Sequence, residues 1–151
     1  MSGTRSSDAD YSASGRRIAI VAARFNEVVV AALLKGATAR WSARGGDEHS
    51  LLVARVPGAF ELPVVARRLA RSGRFEAIVA LGCVIRGDTP HFEYVAGECA
   101  RGLQQTACDT GVPIAFGVLT VDNMEQALAR AGAGAGNKGA EAMDSALEMT
   151  H

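Results

Sequence analysis

The feature that most constrains this chain is a repeated alternation. Short, near-continuously apolar runs are each followed by a segment with apolar residues at helical spacing. RIAIVAA (17–23) precedes EVVVAALLKGATARWSAR (27–44), and HSLLVARV (49–56) precedes ELPVVARRLARSG (61–73). AIVALGCVI (77–85) precedes a segment from Pro90 to Gly111, and IAFGVLTV (114–121) precedes NMEQALARAG (123–132). A run that is apolar at nearly every position, rather than at every second one, suits a strand covered on both faces. Parallel strands need crossover connections, so this order predicts an α/β fold in which a parallel sheet carries helices on both faces.

Punctuation supports the reading. Asn26 is placed to cap the first helix, Gly45-Gly46 to end it, and Pro57-Gly58 to break the second strand. Pro63 fits a first helical turn, Gly73 a helix C-terminus, and Asp122 the cap after the fourth strand. The glycine-rich AGAGAGNKG leads into a last helix, AEAMDSALEMTH (140–151). Residues 1–16, rich in Ser, Gly, Asp and Arg, are expected to form a flexible tail ahead of one domain over 17–151.

Composition removes several classes of function. Basic and acidic residues balance at 16 each, which gives no general surplus for nucleic acid. No run is long enough for a bilayer span, and the N-terminus has no apolar signal core, so a cytoplasmic protein is expected. Cys83, Cys99 and Cys108 match no usual zinc spacing, and Cys83 sits in an apolar run as a small core residue would. No metal site is expected.

Open α/β sheets bind ligands beyond the carboxyl ends of their strands, and here each such end carries unusual residues. Phe25 and Asn26 follow the first strand, Ala59, Phe60 and Glu61 the second, and Arg86-Gly87-Asp88-Thr89-Pro90-His91 the third. Gly87 allows a tight turn and Pro90 suits a helix start, so free amides and the Thr89 hydroxyl would meet at a helix N-terminus, a place for phosphate or carboxylate. His91 adds an imidazole suited to moving protons near neutral pH. A plainer account has Asp88 or Thr89 only capping the helix while His91 packs on Phe92 or Tyr94. Phe25 is open to two readings as well, a stacking platform for a planar heterocycle or a hydrophobic staple at a helix entry. Helix-dipole complementarity alone accounts for Glu61, and Arg130 and Lys138 alone are ordinary solvated cations.

The ordered set ARFNE, VPGAFELP, ALGCVIRGDTPHFEYV, PIAFGVLTVDNMEQALARAG and GNKGAEA closely resembles the lumazine synthase family of riboflavin biosynthesis, over about Arg17 to Met149. The resemblance implies a three-layer αβα sandwich with a four-stranded parallel sheet in flavodoxin-like strand order. It implies a transferase that condenses 5-amino-6-ribitylaminouracil with 3,4-dihydroxy-2-butanone 4-phosphate, giving 6,7-dimethyl-8-ribityllumazine, phosphate and water, with no cofactor. By the same analogy Phe25 stacks on the pyrimidine with Asn26 nearby. Ala59, Phe60 and Glu61 hold the ribityl chain, backbone groups of Val84 and Ile85 meet the uracil edge, and Phe116 and Lys138 complete that pocket. Gly87, Asp88 and Thr89 hold the butanone phosphate, Asp88 through its amide alone, Arg130 offsets the phosphate charge, and His91 transfers protons.

The resemblance also implies a homo-oligomer built from pentamers, with Phe116, Arg130 and Lys138 reaching the site of an adjacent subunit. Pentamer, decamer and icosahedral shell stay open, as does a riboflavin synthase partner. The alternative kept beside the enzyme is a non-catalytic protein of the same fold that binds a flavin or lumazine or forms a shell.

Overall fold

The computed structural model describes residues 11–132 and 136–151. Its four strands are β1 (Ile18–Ala23), β2 (Leu52–Val56), β3 (Ala77–Ile85) and β4 (Ile114–Val121). All pair in parallel, in the order β2-β1-β3-β4. This is the expected flavodoxin-like order in a three-layer sandwich. The helices are α1 (Glu27–Ala43), α2 (Leu62–Arg71), α3 (His91–Thr110), α4 (Met124–Ala131) and α5 (Lys138–Met149), and short 3-10 turns occupy Glu48–Ser50 and Ala59–Glu61.

The apolar runs divide their side chains between two cores with the period of two that a pleated strand imposes. In β1, Ile18, Ile20 and Ala22 face α1, α4 and α5, where Leu33, Trp41, Ala127 and Met143 are buried. Val21 and Ala23 face α2 and α3, where Leu62, Ala66, Cys99 and Leu103 are buried. Burial on both faces is why strands 1 and 3 contain almost no polar side chain. Gly111, at φ 74, ends α3 in the left-handed conformation that glycine adopts without a Cβ penalty.

Several expectations are corrected. His49 and Ser50 belong to a 3-10 turn rather than to β2, because the Asp47 carboxylate accepts the His49 amide and bends the chain there. The cap of α4 is Asn123, whose side chain accepts from the Gln126 amide. Asp122 instead receives Arg86, while its amide donates to the Gln126 side chain. The last helix starts at Lys138, two residues before the expected start, because Asn137 caps it. The expected flexible tail covered 1–16, yet Tyr11 and Ala13 are buried in the α1/α5 core and the Ala13 amide donates to Arg44 O. Residues 1–10 of that segment lie outside the described residues.

Candidate active site at the strand ends

In this order the chain steps outward from β1 to β2, then crosses back to β3. The switch point lies between β1 and β3, the place where open α/β sheets leave a crevice. The backbone extends the ladder past the last strand residues. Arg24 N donates to Val56 O at 2.7 Å and Phe25 N to Pro57 O at 2.9 Å, holding the first two strand-end segments side by side.

Asn26 then turns into α1 with φ 62 and ψ 51, the left-handed region that asparagine tolerates better than most residues. It stands at the cap position, but its side chain does not cap. Instead Nδ2 reaches across the switch point and donates to the Cys83 carbonyl at 2.9 Å.

These contacts enclose a cleft of about 650 Å³. Phe25, Asn26, Ala59, Phe60, Glu61, Val84, Ile85, Gly87, Thr89 and His91 all line it, so ten of the expected residues meet in one chain. Phe25 is 71% exposed and Phe60 57%, which excludes the staple reading for Phe25, since a staple is packed. Tyr94, 69% exposed, and Val95 also line the cleft and escaped the sequence reading. The signal was present, because Tyr94 follows His91 at helical spacing and shares its face.

Thr89 and His91 sit at the start of α3, where Pro90 is the cap residue and no side chain caps. Thr89 Oγ1 accepts only a long contact from the His91 amide, 3.4 Å, and the His91 ring has no hydrogen-bond partner among the described residues. The capping reading of Asp88 is therefore not what the chain does. Asp88 is exposed and stands outside the residues that line the cleft. The turn is braced by Arg86, whose guanidinium donates to Glu93 at 2.6 Å and Asp122 at 3.1 Å and lies 4.4 Å over the Phe92 ring. Hydrogen bonds to Arg86 hold the Glu93 carboxyl below its ordinary range.

Cys83 also borders the cleft, but burial pushes its thiol up to about 11, so it is a neutral thiol near pH 7 rather than a nucleophile. Among the described residues no group of His, Cys, Asp or Glu is arranged to hold a metal, and no helix is long and apolar enough to cross a membrane.

Three expected site residues stand away from this cleft. Phe116, 48% exposed, is on the edge strand β4. Arg130 donates to Gln126 O at the end of α4, and Lys138 pairs with Glu141 at the start of α5.

Comparison with known proteins agrees with this architecture. Residues 15–151 match the family model described as 6,7-dimethyl-8-ribityllumazine synthase. A curated relative from Nitratidesulfovibrio vulgaris (strain DP4), named 6,7-dimethyl-8-ribityllumazine synthase, is 52% identical over 136 residues, covering 90% of this chain and 87% of that protein. The chain belongs to the 6,7-dimethyl-8-ribityllumazine synthase family.

Proposed function

We propose that this chain is a transferase of riboflavin biosynthesis and that its strand-end cleft is the seat of the condensation. There 5-amino-6-ribitylaminouracil and 3,4-dihydroxy-2-butanone 4-phosphate give 6,7-dimethyl-8-ribityllumazine, phosphate and water. The observation that carries the reading is the convergence of three separate strand-end segments on one apolar cleft. Exposed aromatics line it together with an imidazole that has no hydrogen-bond partner among the described residues.

The uracil supplies the amine nucleophile, so the protein's part is to orient two substrates and move protons. Phe25 offers a face to the pyrimidine, with Asn26 behind it, and the amides near Val84 and Ile85 meet the uracil edge. Phe60, Ala59 and the Glu61 carboxylate receive the ribityl hydroxyls. Amides around Gly87 and Asp88 and the Thr89 hydroxyl donate to the phosphate at the start of α3, where the helix favours an anion. His91 shuttles protons as the imine forms, phosphate leaves and the ring closes.

Phe116, Arg130 and Lys138 take their place in the cleft of an adjacent copy in a pentamer. Their exposure on β4, α4 and α5, away from their own chain's cleft, supports that arrangement. A shell of pentamers and an enclosed riboflavin synthase are larger arrangements that native mass measurement separates.

The test is direct. The purified protein is mixed with both substrates, and the lumazine is followed by absorbance against the uncatalysed background. Saturable acceleration is expected in both substrates. A background rate in folded, assembled protein would move the function to binding or shell formation.

A further inference from the structure

Asn137 is polar, only 6% exposed and saturated with contacts. Its Nδ2 donates to three carbonyls, Ala131 O at 3.0 Å, Gly132 O at 3.2 Å and Ala32 O at 3.2 Å, so at least one of its two hydrogens is shared. Its Oδ1 accepts the Ala140 amide at 3.0 Å, and its own carbonyl accepts from Glu141. One side chain therefore joins the last turn of α4, the middle of α1 and the first turn of α5. The neighbouring chain leaves it no slack. A Cβ at Gly36 would overlap the Asn137 amide, and a Cβ at Gly139 would overlap the Leu33 carbonyl. Arg130 stands one residue before Ala131, and Lys138 one residue after Asn137.

We infer that Asn137 is a positioning residue: by tying the end of α4 to the start of α5, it fixes the separation and direction of Arg130 and Lys138 as they are presented to a neighbouring copy's cleft. The inference rests on the reading of those two cations as site residues. An apolar residue could fill the same volume, but it would leave the carbonyls of Ala131 and Gly132 and the Ala140 amide without partners, and the two helix ends would part. Two cations on separate helix ends keep their spacing only while such a tie holds. Misplacement of a group by about 1 Å is enough to cost on the order of a hundredfold in rate.

The experiment uses the assembled full chain. Asn137→Ser keeps a cap acceptor but is too short to reach the carbonyls, and Gly36→Ala displaces the amide while leaving Asn137 in place. Each is measured alone and in an Arg130→Ala, Lys138→Ala background, by kcat/KM and by competition from inorganic phosphate against the phosphorylated ketone.

The expected result is a ten- to hundredfold fall in kcat/KM, on the order that misplacement gives, and weaker phosphate competition for each variant alone. No further loss is expected once both cations are gone. An equal loss in both backgrounds, or unchanged kinetics and phosphate competition, would overturn the inference. If Asn137→Ser does not assemble, Gly36→Ala carries the test with the same two outcomes. Wild-type kinetics in the Arg130→Ala, Lys138→Ala protein would instead remove the cations from the site and take the inference with them. That failure is separate from failure of the Asn137 variants alone.

Discussion

Asn26 and Cys83 are joined across the switch point of the sheet by a 2.9 Å hydrogen bond from an amide to a strand-end carbonyl. The bond ties the segment after β1 to the end of β3, the two walls between which the cleft opens. It is made from a left-handed backbone, and Asn26 is the only non-glycine residue among those described with positive φ. Strained backbone of this kind persists where surrounding contacts over-determine it, and such places gather at functional sites.

Substitutions at Asn26 separate the strain from the bond. Asn26→Ala loses the hydrogen bond, worth about 1 kcal/mol, and sets an ordinary residue in the left-handed region at a further cost of about 1–2 kcal/mol. Asn26→Gly loses the bond but tolerates the backbone. Denaturation in urea should therefore find the alanine variant less stable than the glycine variant by about 1 kcal/mol. Equal stabilities would show that the conformation is not held at φ 62.

Phe25 gives the converse case. At 71% exposure its ring contributes little to the fold, so Phe25→Ala should leave thermal stability nearly unchanged. Affinity for the diaminouracil, measured by titration calorimetry, should fall by about 1 kcal/mol if the ring stacks on the pyrimidine. Unaltered affinity would leave this exposed aromatic without a ligand role.

Strands 1 and 3 were legible because burial on both faces excludes polar residues from them. His49-Ser50 was not, since a strand edge and a 3-10 turn differ there only by where the Asp47 carboxylate bonds. Asp122 was expected to cap α4, but Arg86 occupies its carboxylate and the adjacent Asn123 takes the cap. Most of the cleft followed from the rule that ligands sit at strand ends, while Tyr94 was hidden inside an ordinary amphipathic helix. Phe116, Arg130 and Lys138 show a different limit. A one-dimensional pattern carries no mark of whether two motifs meet within a chain or between copies, and here they do not meet within it.

The Arg86 brace makes a prediction about acid. Glu93 has its folded-state titration lowered from the ordinary 4.5 by hydrogen bonds to Arg86. The stabilisation is thus present above pH 4.5 and is lost as pH falls through the depressed folded value. Glu93→Gln should flatten that part of the stability curve below pH 4.5, with the two proteins converging at the acid end. Because the pair is exposed, the effect is small and should shrink further in high salt. Urea midpoints compared from pH 6 downward, at about 0.05 and 0.5 M salt, check it. A difference that grows toward low pH would reverse the assignment.

His91 separates catalysis from binding. Its ring is exposed and has no hydrogen-bond partner among the described residues, so His91→Ala removes no packed group and should leave folding and assembly intact. If the imidazole moves protons, lumazine formation should drop about 10²-fold or more, while calorimetric binding of the diaminouracil stays near the wild-type value. A parallel loss of affinity would make His91 a ligand contact, and unchanged turnover would take it out of the mechanism. Pairing the variant with Thr89→Ala sharpens the assignment, because in the proposed function that hydroxyl holds phosphate and does not transfer protons. That change should raise the KM for the phosphorylated ketone more than it lowers kcat, whereas His91→Ala should do the reverse. The two residues are two positions apart on one turn, so opposite signatures would come from chemistry and not from general damage to the start of α3.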